Sequence, residues 1–207
     1  RSYIDGSKHL FTPVKVQQIQ ETIGSDIKMV LDVCPPYRTT REKIVDAVRL
    51  TTLWAQEGLS YHKKIKSKKL LFGIVQGGVH PDLREQSVRE LVAMDFAGYA
   101  LGGLAVGEPA KMMYQVLDQI IPLLPEDRPR YLMGVGTPEN IVQAVRRGVD
   151  MFDCVIPTRE ARHGRLYKTK SEKLKAKSFG KDFYEVVRIS NARYRGDIKT
   201  IDPTCQC

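Results

Sequence analysis

Apolar residues recur along this chain in two alternating rhythms. The first is helical. Thr12-Pro13 offers an N-cap and a first-turn proline; Val16, Ile19 and Ile23 follow at helical spacing, and Gly24 ends the run. Thr39 and Glu42 have capping-box spacing ahead of Ile44, Ala47, Val48, Thr51, Trp54 and Ala55, with Gly58 as the expected stop. Pro81 opens a segment carrying Leu83, Ser87, Leu91 and Val92, and Pro109 opens one with Met113, Val116, Leu117 and Ile120. Thr137-Pro138 starts a last helix through Ile141, Ala144 and Val145 to Gly148. The second rhythm is a set of short continuous apolar runs at 29–34, 70–76, 99–104, 131–135 and 151–156. Continuous rather than alternating apolarity predicts strands buried on both faces.

Strand and helix alternate about five times, which predicts an α/β fold with a parallel sheet. Asp32, Gln76, Gly103, Met133 and Asp153 fall toward the C-terminal ends of consecutive predicted strands. Five strands delivering polar or small groups to one rim favour a (β/α)8 TIM-type barrel over an open sheet, which gathers its chemistry chiefly at a switch point. About five of eight units are visible, so the chain is expected to be part of a longer protein. Residues 1–166 are assigned to the barrel and 167–190 to a lysine-rich loop or insertion. Residues 191–207 are expected to begin a small subdomain ending in Cys205 and Cys207.

Composition narrows the partners. The 207 residues include 33 Lys and Arg against 24 Asp and Glu, a formal charge of +9. That balance suits a phosphate backbone, whose condensed counterions are released by cationic side chains; an ordinary basic enzyme fits the charge equally well. No apolar run approaches the ~20 residues that span a bilayer, and the opening residues do not form a signal peptide. Cys34 and Cys154 stand alone in apolar segments, so a reducing cytoplasm is expected rather than a disulfide framework.

Few side chains in these runs are chemically out of place. Asp153, in Met-Phe-Asp-Cys-Val-Ile, is a carboxylate where solubility does not call for one. It suits a nucleophile at an anomeric carbon, or an ion-pair partner for Arg159 or Arg162. Asp32, in Met-Val-Leu-Asp-Val-Cys, can accept two parallel hydrogen bonds from a guanine-type edge, or can cap the helix near Thr39. Gln76 offers both donor and acceptor, or is a satisfied core amide. The segment from Tyr99 to Glu108 holds three glycines in ten residues, which lets a flat ligand approach the backbone or simply makes a tight turn. Gly134-Val-Gly136 before Thr137-Pro138 has the form of a phosphate-holding helix start. Cys205-Gln-Cys207 is half of a zinc site, or two free thiols.

Asp5-Gly-Ser7, Gly24-Ser-Asp-Ile27, Phe72-Gly-Ile-Val-Gln-Gly-Gly78, the segment from Tyr99 to Glu108, Tyr131-Leu-Met-Gly-Val-Gly136 and Met-Phe-Asp153-Cys-Val-Ile-Pro-Thr158-Arg159 occur in one order. Together, across residues 3–207, they resemble the bacterial tRNA-guanine transglycosylase family. The resemblance implies a pentosyltransferase of queuosine biosynthesis that exchanges guanine at the tRNA wobble position for 7-aminomethyl-7-deazaguanine. It implies Asp153 as the nucleophile, with Asp32 and Gln76 gripping the base edge. The Gly103 N–H and Leu104 carbonyl would read the base, Met133 would pack on its face, and Glu108 would support the Gly103–Leu104 backbone. Val106 stands where queuine-using eukaryotic relatives carry glycine, so it should narrow the pocket. Gly134, Val135, Gly136, Thr137, Pro138, Glu139 and Asn140, with Thr158, Arg159, Glu160, Ala161 and Arg162, match tRNA-contacting segments.

The family's general acid/base aspartate lies in an Asp-Ser-Gly-Gly-Phe-Gln segment upstream, absent from these residues. Its structural zinc needs a third cysteine and a histidine beyond Cys207. A homodimer is also implied. Two rival readings are a non-catalytic tRNA-binding accessory subunit of the same family and an unrelated phosphate-binding barrel enzyme.

Overall fold

The computed structural model describes residues 1–170 and 183–203. Helix α1 (Pro13–Ile23) leads into strand β1 (Ile27–Met29), and α2 (Arg41–Lys64) into β2 (Leu70–Val75). Next come α3 (Pro81–Val92), β3 (Gly98–Leu101), α4 (Ala110–Ile120), β4 (Arg130–Leu132), α5 (Pro138–Val145), β5 (Met151–Phe152) and α6 (Ile156–Arg162). The five strands form one parallel sheet in the order β1-β2-β3-β4-β5, each beside its sequence neighbour. Parallel neighbours joined through a helix, with no reversal of order, give the curled arc of a partial barrel rather than a doubly wound sheet.

The registers set Val75 beside Leu101, Leu101 beside Leu132 and Leu132 beside Phe152, so β2 to β5 end level and their C-terminal ends make one rim. Leu71, Phe72, Ile74, Val75, Tyr99, Ala100, Leu101 and Leu132 are all buried. They meet Val88 and Leu91 of α3 and Met113, Val116, Leu117 and Ile120 of α4 in one core. At β1 the sheet edge is covered by α1. Gln20 Oε1 accepts from the Met29 N–H at 2.7 Å, and the Gln17 and Gln20 amides both donate to the Met29 carbonyl at 2.9 Å. These side chains satisfy the Met29 backbone groups, which burial would otherwise leave costly.

The expected alternation is present, with informative differences in extent. All five strands stop before the end of their apolar run, β2 by a single residue. Asp32, Gln76, Gly103, Met133 and Asp153 therefore sit just past the strands, in loops. Positive φ at Gly77, Gly78, Gly103 and Gly134 turns the chain out of the sheet there. Helix α2 takes Thr40 rather than Thr39 as its N-cap and runs through Gly58 to Lys64. Gly58 is buried beside Gln17, so packing on α1 overrides the roughly 1 kcal/mol helical penalty of glycine.

The expected lysine-rich loop at 167–190 is corrected at both ends. Strands β6 (Arg165–Thr169) and β7 (Tyr184–Arg188) pair antiparallel, with Leu166 opposite Val187 and Tyr167 opposite Val186. Aromatic and β-branched residues facing each other stabilise that ladder despite the surrounding charge. Residues 171–182 lie outside the described residues. The tail holds a short 3-10 turn, Ala192–Tyr194, followed by turns and bends. No helix among the described residues is long and apolar enough to cross a membrane.

Candidate active site at the strand C-termini

The loops after β1, β2 and β3 build one cluster. The Gln76 amide nitrogen donates to Asp32 Oδ2 at 2.6 Å, and the helix after it has Thr40, not Asp32, at its N-cap. Ser87 Oγ of α3 accepts from the Gln76 backbone N–H at 3.1 Å, fixing where the side chain starts. Gln76 is fully buried, yet its Oε1 has no donor among the described residues. That oxygen lies over Gly103, where a Cβ would sit 2.4 Å away. A side chain there would displace the Gln76 amide, and a φ of 64° favours glycine independently. A buried amide oxygen without a partner costs on the order of 1–3 kcal/mol; a ligand N–H would satisfy it. Burial raises the Asp32 pKa, while its hydrogen bond from Gln76 pulls the other way.

The loop after β3 is held from two sides. Glu108 accepts from the N–H groups of Ala105 and Val106, two residues further on than the Gly103–Leu104 support expected of it. Ala105 has a φ of 57°, a left-handed conformation that these two bonds help maintain. On the other side, the guanidinium of Arg84 donates to the Gly103 carbonyl at 3.2 Å. The Leu104 side chain is buried, while Val106 is about a third exposed. Nothing among the described residues donates to the Leu104 carbonyl.

The second station lies after β4 and β5. Asp153 Oδ1 accepts from Tyr131 Oη at 2.6 Å and from the Gly134 N–H at 2.9 Å. Neither Arg159 nor Arg162 is in an ion pair among the described residues, so the ion-pair alternative for Asp153 does not hold. Both bonds go to one oxygen and leave Oδ2 uncommitted on an exposed side chain. The phenol is kept protonated as a donor: burial, then the bond to and charge of Asp153, raise its pKa. Met133, between Tyr131 and Gly134 of this station, is half-buried and packs against the core.

The expected RNA-contacting residues divide. Gly134 is exposed, but Val135 and Gly136 are buried. A Cβ on Gly136 would meet Cys154 Cβ at 2.2 Å, so that glycine serves close packing. Thr137 caps α5 by accepting from the Asn140 N–H, Pro138 occupies its first turn, and Glu139 follows half-buried. Asn140 accepts from Tyr114 Oη at 2.7 Å, which ties α5 to α4. In α6, Thr158, Arg159, Ala161 and Arg162 are exposed, whereas Glu160 is drawn into an ion pair with Arg165 at 3.0 Å. Cys205 and Cys207 lie outside the described residues. Among those described, no group of three or more His, Cys, Asp or Glu side chains is placed to hold a metal ion.

Sequence reasoning missed Arg84. Its spacing to Ser87, Val88 and Leu91 puts it on the inward stripe of α3, a pattern visible beforehand.

A parallel half-barrel with a desolvated hydrogen-bonding cluster and an accessible, oriented carboxylate on one rim has the layout of a barrel enzyme's mouth. The family model for queuine tRNA-ribosyltransferase matches residues 1–207, and the chain belongs to that family. The queuine tRNA-ribosyltransferases of Desulforamulus reducens and Pelotomaculum thermopropionicum are 51% and 50% identical to it over all 207 residues. One from Buchnera aphidicola is 46% identical. The chain spans about half of each, 52% of their length.

Proposed function

We propose that this chain supplies the base-binding and nucleophilic half of a tRNA-guanine transglycosylase. The observation that carries the reading is the pairing of two carboxylates on one rim. Asp32 is half-buried against an amide whose oxygen still lacks a donor among the described residues, and Asp153 is open, with both of its described bonds on one oxygen. The first suits a flat heterocycle whose N–H groups meet Asp32 and Gln76 Oε1. The second suits attack on the sugar that carries it.

In the proposed sequence Asp153 Oδ2 attacks ribose C1′ of the wobble nucleotide as the C1′–N9 bond of guanine breaks. Guanine takes up a proton as it leaves, and the tRNA is held as an aspartyl ester. The 7-aminomethyl-7-deazaguanine ring nitrogen then attacks C1′ and loses its proton. The ester bond breaks, and the carboxylate is restored. Tyr131 and the Gly134 N–H orient the carboxylate throughout. No described residue is assigned the proton transfers, which fall to the upstream aspartate expected from the family. An anticodon loop presents its bases unpaired, so extrusion into the mouth is inexpensive. Arg159 and Arg162, exposed on α6, would meet the backbone beside the extruded nucleotide. Completion of the (β/α)8 barrel, a structural zinc that includes Cys205 and Cys207, a second copy as partner and a cytoplasmic setting belong to the same reading.

Covalent trapping tests it. The complete protein is mixed with tRNA bearing guanine at the wobble position and a base analogue that stalls exchange, then run on a denaturing gel. A protein–tRNA band with the native protein and none with Asp153→Ala is expected. Retarded tRNA on a native gel without any covalent band would favour the accessory-subunit reading. No tRNA binding at all would favour a metabolic barrel enzyme.

A further inference from the structure

Arg84 is the largest fully buried side chain of the described residues. Its planar guanidinium donates to three carbonyls: Gly78 at 2.8 Å through Nε, Val75 at 2.9 Å through one terminal nitrogen and Gly103 at 3.2 Å through the other. No carboxylate bonds to it directly among the described residues, although the charge of Glu108 acts on it favourably. Burial pushes its pKa down to about 10, which leaves it cationic at neutral pH. A buried cation held by neutral carbonyls is an expensive way to fill a helix–sheet interface, where an apolar side chain serves at lower cost.

The three carbonyls show what the expense achieves. Val75 ends β2, immediately before Gln76; Gly78 lies in the turn after it; Gly103 lies beyond β3. Arg84 therefore ties two neighbouring strand-end loops into one rigid corner. Turning the Gly103 carbonyl toward α3 fixes the plane of the Gly103–Leu104 peptide, and Glu108 holds the N–H groups of Ala105 and Val106 on the following turn. The same clamp keeps Gly103 directly beneath the donorless Gln76 Oε1. Five N–H groups in a fixed fork can serve three acceptors in one plane; an ammonium cannot reproduce those directions.

From this geometry we infer that Arg84 is a positioning residue for the exchanged base: its clamp on Val75, Gly78 and Gly103 sets the direction of the groups that read the heterocycle. The inference rests on the base-exchange reading above. It assigns Arg84 to base affinity and not to tRNA affinity or to the formation of the Asp153 ester.

The test measures incorporation of labelled guanine into tRNA by the complete protein, varying guanine and tRNA separately, alongside native gels and thermal melts. For Arg84→Lys, the KM for guanine rises about ten- to a hundredfold, while the KM for tRNA stays within twofold of the native value (roughly 0.4 kcal/mol). Arg84→Gly, assayed with and without millimolar guanidinium, is expected to regain part of its guanine affinity only when guanidinium is present. A folded Arg84→Lys protein with unchanged guanine KM, or with both KM values raised equally, overturns the inference. So does loss of folding in both variants that guanidinium does not correct, since Arg84 would then serve stability alone. Failure of the native protein to incorporate guanine at all would instead sink the base-exchange reading itself.

Discussion

The two ends of the five-strand arc are built on opposite terms. Around β1 to β3, Asp32, Gln76, Gly103 and Arg84 are partly or fully withdrawn from water and tied to one another. Around β4 and β5, Asp153 is exposed, with two donors on one oxygen and none on the other. Discrimination between flat heterocycles needs desolvated groups fixed in direction, because an analogue lacking a matching N–H then leaves a buried acceptor unpaired. A nucleophile that must reach a ribose on a macromolecule needs access first and orientation second. One end therefore holds burial strain for the sake of selectivity, while the other holds almost none.

The division can be broken most sharply at Asp32. Folding raises its pKa, so the ionised form costs stability above the folded pKa, and that cost is relieved as pH falls through it. Asp32→Asn keeps an acceptor for the Gln76 amide but removes the charge. Base affinity is expected to fall about a hundredfold, while the melting temperature at neutral pH does not fall. In the native protein the KM for the base should rise as pH drops, beginning above the ordinary aspartate range. A lower melting temperature for Asp32→Asn would mean that the carboxylate stabilises the fold, and the contrast would collapse.

The smaller effect lies at the open end. Tyr131→Phe removes one of the two donors on Asp153 Oδ1 and leaves the Gly134 N–H in place. Ester formation in a single-turnover assay is expected to slow about tenfold, the equivalent of one charge-assisted hydrogen bond. The KM for the base should stay unchanged. A shift in base KM of similar size would show that the two stations are coupled through β4 and would blur the comparison.

How far this arrangement could be read in advance differs between the same two regions. The alternation, the parallel sheet, and the placing of Asp32, Gln76, Gly103 and Asp153 on one rim follow from apolar periodicity. Strand ends do not, because loops that line a barrel mouth are as apolar as the strands they leave: 102–104 continue the apolar run of β3 but have the backbone of a loop. Arg84 was hidden by its type, since an arginine between Leu83 and Glu85 looks like part of a solvated face. Only its spacing to Ser87 and Leu91 betrays burial. Tyr131 falls in an apolar run of strand length, and nothing local marks it as the partner of a residue 22 positions away. Residues 167–169 and 184–188 read as loop because lysines dominate the stretch, whereas pairing depends on what faces Leu166 and Tyr167 across the ladder.

The smallest change bears on how α5 belongs to the open end. Thr137 Oγ accepts from the Asn140 N–H at 3.4 Å, a long bond, and Asn140 in turn accepts from Tyr114 of α4. Thr137→Ala is therefore expected to cost about 0.5–1 kcal/mol, the lower part of the range for a lost cap, read as a shifted denaturant midpoint with unchanged slope. If the start of α5 only anchors the Gly134 turn beneath Asp153, tRNA affinity on native gels and the base KM will both match the native protein. If the helix start also meets the tRNA backbone, affinity will drop at low salt and the difference will shrink as salt screens it. The salt dependence separates these outcomes where the stability change cannot, because a lost cap weakens the fold in either case.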